Sequence, residues 1–199
     1  MKEIKVYTFN ELSSKEAREK ACQQVGDSMT DKEWWYGTFE CFIEKCADYG
    51  MHVDEKDIYF TGFGSQGDGA SFTCYKIDLE KLLPSLGIKR EEKVLDYIYE
   101  VRIIRTSYRA YHEQSVHVEV FVDEDALAEE DEKIKYYIQD IADTLEFKLE
   151  KLKDDLCRQL YSDLREEYNY FYSEEYVAEF AYDNKSLFLE NGLVYDWGE

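Results

Sequence analysis

The apolar positions of this chain change their period several times along its length. "EIKVYTF" alternates and predicts a strand over residues 3–9. Ser13, with Glu16 three residues later, has the form of a capping box. Leu12 and Ala17 add a weak hydrophobic staple, and the helix they open ends near Val25. Thr30 and Glu33 repeat the capping signature. Trp35, Phe39, Phe42, Ile43 and Cys46 then recur at three-to-four spacing, an amphipathic helix with Gly50 as its stop. "DIYFTGF" and "ASFTCYKI" are β-rich runs flanking a glycine-rich loop and read as a hairpin. "DLEKLLPSLG", interrupted by Pro84, and "REEKVLDY" suggest two short helical turns. "YIYEVRIIRT" and "SVHVEVFVD" form a second hairpin through "SYRAYHEQ". In its second strand Val116, Val118, Val120 and Val122 share one face, with Ser115, His117 and Glu119 on the other.

The longest pattern follows. Ile134, Ile138, Ile141, Leu145, Leu149, Leu152, Leu156, Leu160 and Leu164 step by three or four residues. They predict one helix over about residues 131–171, about 60 Å long. Ser173 is placed to cap a further helix, "EEYVAEFAYDN", and "LFLENGLVY" closes as a small hairpin turning at Asn191-Gly192. The order predicts an α+β fold. Strands 3–9, 57–63, 71–78, 97–106 and 115–122 form an antiparallel sheet, helices pack on one face, and one long helix occupies the C-terminal half. No repeat or linker breaks the chain. It reads as a single α+β domain over residues 1–199, sheet-rich through residue 122 and helical from 123, with the small hairpin at its end.

Composition sharpens this in one respect. Apolar residues make up 44% of the chain and aromatics 16%, enough for a core and too much for a disordered protein. Against 45 acidic residues stand 24 basic ones, a net charge of −21. Such a chain has too few cations to release counterions from phosphates, so direct nucleic-acid binding is excluded, and basic surfaces become the expected partners. The five cysteines are odd in number and contain no CxxC pair, so neither a zinc site nor a redox motif is supported, and reduced thiols are expected. "MKEIKVYTFNEL" has no apolar leader core, and no run of 18 apolar residues occurs, so a soluble cytosolic protein is expected.

Candidate chemistry concentrates in two places. Gly62, Gly64, Gly67 and Gly69 crowd around Ser65, Gln66 and Asp68. A phosphate-binding loop needs a lysine and a following helix, a dinucleotide loop also needs the helix, and a calcium loop needs more carboxylates. None of these is met. Either the loop is a tight connection, with Gly67-Asp68-Gly69 taking positive φ and Asp68 bonding backbone amides, or it presents Ser65, Gln66 and Asp68 to a partner. Asp68 as a lone metal ligand is the weaker third reading.

The second place is "DEDALAEEDE", where Asp123, Glu124, Asp125, Glu129, Glu130, Asp131 and Glu132 supply seven carboxylates in ten residues. It reads either as a solvated helix start or as a negative surface that occupies a cationic, nucleic-acid-binding groove on another protein. In the long helix, Asp154–Arg158 and Asp131–Lys135 have i,i+4 ion-pair spacing. Tyr168, Tyr170, Phe171, Tyr172, Tyr176 and Tyr182 read as core-edge residues or as a protein-binding patch. Arg102, Arg105 and Arg109 are most simply partners of neighbouring acids. His52, His112 and His117 lie in no HxE or HExxH motif and no GxSxG is present, so a non-catalytic protein without cofactor or metal is expected.

Three stretches carry a resemblance. They are "YTFNELSSKEAREKA" (Tyr7–Ala21), "IYFTGFGSQGDGASF" (Ile58–Phe72) and the region from Leu164 to Glu179. Together they resemble a family of small acidic proteins of bacteriophages and prophages, commonly labelled antitoxins of a toxin–antitoxin stability system. The departure is Gly64, where that family often carries a bulky residue, commonly tryptophan. The resemblance implies an accessory protein that neutralises a host factor. Three functions are open: an acidic binder that inhibits a defence nuclease, in the manner of an anti-CRISPR protein; an antitoxin against a basic toxin; and a small enzyme or ligand-binding protein using the glycine-rich loop. No DNA-binding arm or helix-turn-helix for autoregulation is visible, which favours the first over the second.

Overall fold

The computed structural model of the chain describes residues 4–89, 92–107 and 109–195. Glu3, Arg90, Glu91 and Tyr108, which fall within the expectations above, lie outside them. The fold is α+β, with short antiparallel ribbons and one long helix in the C-terminal half. Two compact units form: residues 37–163, and residues 1–36 together with 164–199.

The larger unit begins with α2 (Tyr36–Asp48), which buries Phe39, Phe42 and Cys46. Gly50, at φ 78°, ends it. The Gly50 N–H donates to the Ala47 carbonyl (3.0 Å) and the Met51 N–H to that of Cys46 (3.1 Å). This is a Schellman stop, available because glycine enters the left-handed region without penalty. Strands β1 (Ile58–Phe60) and β2 (Ala70–Phe72) pair around the glycine loop. Helices α3 (Leu79–Ser85) and α4 (Glu92–Tyr97) lead into β3 (Ile98–Arg105), which pairs with β4 (Val116–Val122). Val101, Ile103, Val116 and Val118 are buried on one face of this ribbon. Burial fades at Val120 and Val122, where the register shifts between Ile98 and Glu100, so the four valines do not share one environment. Ser115 leaves the outer face and is fully buried. Its hydroxyl donates to the His112 carbonyl (2.7 Å).

Among the described residues the strands form three separate ladders rather than one sheet. The segment after β2 reaches β3 through a single bridge, Cys74 to Ile103. The outer edge of β4 is occupied by helix. From α6 (Glu132–Phe171, 40 residues) the Glu150 carboxylate accepts from the Val118 N–H (2.6 Å), and the Lys153 ammonium donates to the Val116 carbonyl (2.9 Å). A strand edge satisfied by charged side chains cannot accept another strand. Lys153 is only 3% exposed, and Glu150 (2.6 Å) and Asp154 (2.8 Å) balance its charge. Burial works against that charge, but hydrogen bonds to Asp154 and Glu150 leave its pKa above the ordinary lysine value.

The smaller unit pairs the two ends of the chain. The expected strand 3–9 reduces to one bridge, Tyr7 with Phe188, followed by a 3-10 turn at Phe9–Glu11. Glu11 accepts from the Thr8 N–H (2.8 Å) and forms the capping box there. Helix α1 (Lys15–Thr30) is capped by Ser14, one residue later than expected, whose hydroxyl accepts from the Ala17 N–H (3.1 Å). It runs past Val25 through Gly26, where a Cβ would fall 2.4 Å from the Tyr172 ring. Thr30 is its last residue, not the cap of another helix, and donates to the Gly26 carbonyl (3.0 Å). Helix α7 (Glu174–Asp183) is capped by Ser173 as expected. Strands β5 (Leu187–Phe188) and β6 (Val194–Tyr195) turn at Asn191-Gly192. Phe9, Leu12, Ala21, Val25, Val177 and Phe188 fill the core of this unit.

Candidate functional site

The glycine loop, residues 61–69, is closed upon itself. One Asp68 oxygen accepts from the Gly64 N–H (2.9 Å) and the Ser65 N–H (2.6 Å). Thr61 and Gly69 bond each other twice: the Thr61 N–H to the Gly69 carbonyl (3.0 Å), and the Gly69 N–H to the Thr61 hydroxyl (3.1 Å). Gly67 has φ 101°, and a Cβ on Gly69 would lie 2.6 Å from the His112 Cα. The loop is therefore pressed against the turn of the second hairpin. On its other side the Tyr161 hydroxyl donates to the Gly62 carbonyl (3.1 Å), and the Tyr161 and Phe63 ring centres are 5.5 Å apart. Ser65 and Gln66 are exposed at the tip. Asp68 is half-buried and already engaged with backbone amides, which accounts for the Gln-Gly-Asp-Gly pattern without a ligand.

Beside this loop Arg105 stacks on aromatic rings. Its guanidinium lies over the rings of Tyr59 (4.5 Å) and Tyr111 (4.4 Å), and its Nε donates to the Ser107 carbonyl (2.8 Å). Arg102 pairs with Glu100 as expected and lies over Phe121. Arg109 is exposed. Nothing in the spacing of Tyr59 from Arg105 and Tyr111 announces this stack, because two segments distant in sequence, β1 and the turn of the second hairpin, build it.

The acid segment does not form a continuous helix start. Asp123 caps the short helix α5 (Glu124–Ala128), accepting from the Ala126 N–H (2.9 Å). Asp131 caps α6, accepting from the Lys133 (2.9 Å) and Ile134 (3.0 Å) N–H groups. Glu130 is half-buried and accepts from the Tyr97 hydroxyl (2.5 Å), which pushes the Tyr97 pKa up to about 12. Glu132 pairs with Lys135 (3.2 Å), an i,i+3 contact in place of the expected Asp131–Lys135 pair. Arg158 likewise pairs with Asp155 rather than Asp154. The carboxylates of Glu124, Asp125 and Glu129 are exposed and take part in no ion pair or side-chain hydrogen bond among the described residues. An open groove of about 830 Å³ lies between α5 and α6, lined by Glu124, Leu127, Glu132, Lys133, Tyr136 and Gln139. Tyr136 is 77% exposed.

In the smaller unit the tyrosine-rich end forms a relay of rings. Trp34 lies 5.6 Å from Tyr168 and 6.3 Å from Phe171. Tyr176 lies 5.1 Å from Phe171, 5.3 Å from Tyr170 and 6.0 Å from Phe180. The Tyr172 hydroxyl donates to Asp27 (3.0 Å) and meets Thr30 (3.0 Å). Burial and the charges of Glu179 and Glu175 raise the Tyr170 pKa above the ordinary tyrosine value. A second groove, of about 710 Å³, is lined by Phe9, Asn10, Ala181, Tyr182, Asp183 and Lys185, and no sequence motif marked it.

Cys22, Cys46, Cys74 and Cys157 are buried free thiols, and only Cys41 is exposed. Burial pushes Cys74 up to about 11 and Cys157 to about 12, and raises Cys46 further, so these thiols stay protonated at neutral pH. Among the described residues no group of three or more His, Cys, Asp or Glu is placed to hold a metal ion, and no helix is long and apolar enough to cross a membrane.

The fold places the chain among α+β proteins in which short antiparallel ribbons pack with a long helix. It belongs to a domain family of unknown function, DUF8835, whose model matches residues 34–174. No curated protein and no solved structure matches the chain.

Proposed function

We propose that the chain is a non-catalytic, acidic protein-binding protein of a phage or prophage, acting in the host bacterial cytosol. Its target is a host defence nuclease, whose basic nucleic-acid groove it occupies. The observation that carries this reading is the charge of the α5–α6 corner. Between Asp123 and Phe147 stand ten carboxylates and two lysines, and Glu124, Asp125 and Glu129 are exposed and unpaired among the described residues. Opposite charge steers encounter with a cationic groove and makes association fall with salt, as the Debye length shrinks from about 10 Å at 0.1 M to about 3 Å at 1 M. The neighbouring Tyr136 adds an amphipathic ring of the kind interfaces favour.

The test is phage plating on bacteria that carry an active nuclease-based defence and express the chain. Plating should be restored by the parent and lost with the combined variant Glu124→Gln, Asp125→Asn, Glu129→Gln and Glu132→Gln. Equal restoration by that variant would remove the acid segment from the interface. Rescue from a co-expressed basic toxin, with no effect on plating, would move the reading to an antitoxin.

A further inference from the structure

We infer that the aromatic corner where α6 meets α7 is a docking surface for an arginine-bearing basic segment of the partner, with Tyr170 and Tyr176 supplying ring faces and Glu175 and Glu179 the counter-charge. The inference rests on the proposal that the partner is basic, and adds a second contact surface to it. Tyr170, on the last turn of α6, is 42% exposed, and its ring centre lies 5.3 Å from that of Tyr176. Tyr176 is fixed in turn by Phe171 and Phe180. The rings are thus ordered before any partner arrives, so docking loses little side-chain entropy. Glu175 and Glu179 are exposed one turn apart on α7, and their charges lie close enough to Tyr170 to raise its pKa. Neither pairs with a lysine or arginine among the described residues, whereas the neighbouring Glu174 is paired with Arg18 (3.2 Å).

Charge complementarity selects the occupant. Exposed rings flanked by unpaired carboxylates, on a chain of net charge −21, suit a cation with a flat face. Guanidinium meets both demands, since it stacks on rings and forks to carboxylates. An ammonium is a strongly hydrated point charge that does only the second well.

The experiment is an aromatic NMR titration of the full chain with two hexapeptides, one alternating glycine with arginine and the other glycine with lysine. The arginine peptide should move the Tyr170 and Tyr176 ring signals and bind about fivefold tighter than the lysine peptide. Tyr170→Ala, and the double variant Glu175→Gln with Glu179→Gln, should each weaken it about tenfold, while Tyr170→Phe keeps the ring and most of the affinity. The amide variant of residues 124–132 should leave this binding unchanged. Equal affinity for both peptides, or binding undiminished in Tyr170→Ala, would mean that net charge alone attracts the probe and would overturn the inference. If that happens while phage plating still depends on residues 124–132, the functional reading stands without this surface. Arginine preference that is intact while no variant affects plating would support the surface and remove that reading.

Discussion

The glycine loop and the acid segment are both polar, both partly exposed, and both composed of residues that mark binding sites. They are built in opposite senses. In the loop the polar groups face one another: Asp68 holds two backbone amides, and Thr61 and Gly69 are doubly bonded. In the acid segment the carboxylates divide. Asp123 and Asp131 precede helices and find open N–H groups, and Glu130 finds Tyr97. Glu124, Asp125 and Glu129 have no such partner among the described residues and face solvent. The two N-cap acids, Asp123 and Asp131, are engaged, whereas Glu124 and Asp125 in the first turn of α5 and Glu129 at its end are open; Glu132, in the first turn of α6, pairs with Lys135.

Filling the loop should produce the largest effect. In Gly69→Ala the new Cβ meets His112 backbone at 2.6 Å, and backbone cannot swing aside. The two hairpin turns must separate, at a cost of about 3 kcal/mol by urea denaturation. Gly64 is the internal control. Its Cβ position is open, so Gly64→Trp, the residue suggested by the phage-family resemblance, should change stability by less than about 0.5 kcal/mol. Similar costs at both positions would mean that the loop is held by something other than this contact. Next comes Asp68→Ala, which orphans the Gly64 and Ser65 amides and should cost about 2 kcal/mol, with Asp68→Asn retaining roughly half of the interaction. A loss of binding with stability unchanged would instead make Asp68 a contact residue.

The regions differ also in how well the sequence foretold them. Asp68 bonding its own loop was legible, because Asx bonding is local chemistry. The long helix was legible because nine apolar positions keep one period over thirty residues. The division of the acid run was not, because seven carboxylates in ten residues look alike until the helix breaks near Glu130 are known. The first strand was misread for a related reason. Tyr7 alternates correctly, but its partner is Phe188, at the other end of the chain. Among the described residues the expected single sheet is three ribbons, and Glu150 and Lys153 close the β4 edge of one of them. Lys153 sits within an apolar-periodic helix that gave no reason to bury a lysine. The Ser14 cap differs from the expected Ser13 by one residue.

Smaller effects separate the acids from one another. Asp123→Ala and Asp131→Ala should each cost about 1 kcal/mol, the usual value of an N-cap, while the asparagine variants stay close to the parent. Tyr97 adds a pH signature. Its folded pKa lies near 12, above the ordinary tyrosine value. Its bond to Glu130 therefore stabilises the fold fully below about pH 10 and is lost as pH rises through the folded value. Tyr97→Phe should remove that alkaline loss, and a spectrophotometric tyrosine titration should lose a component near pH 12.

Glu124→Gln, Asp125→Asn and Glu129→Gln together should produce the smallest change in stability, less than about 0.5 kcal/mol at 0.1 M salt. Two opposing terms produce that near-zero value. Removing three charges from a chain of net charge −21 relieves self-repulsion. Removing two of them from the first turn of α5 forfeits a favourable dipole contact, which is small in a five-residue helix. Salt isolates any short-range remainder, because screening weakens both terms and should shrink the difference between parent and variant further by 0.5 M. The measurement is the urea midpoint at the two salt concentrations. A cost above about 1 kcal/mol that persists at high salt would show short-range bonds at these residues. Their carboxylates would then be engaged like that of Asp68, and the acid segment would differ from the glycine loop only in charge, with no unpaired group left to meet a basic partner.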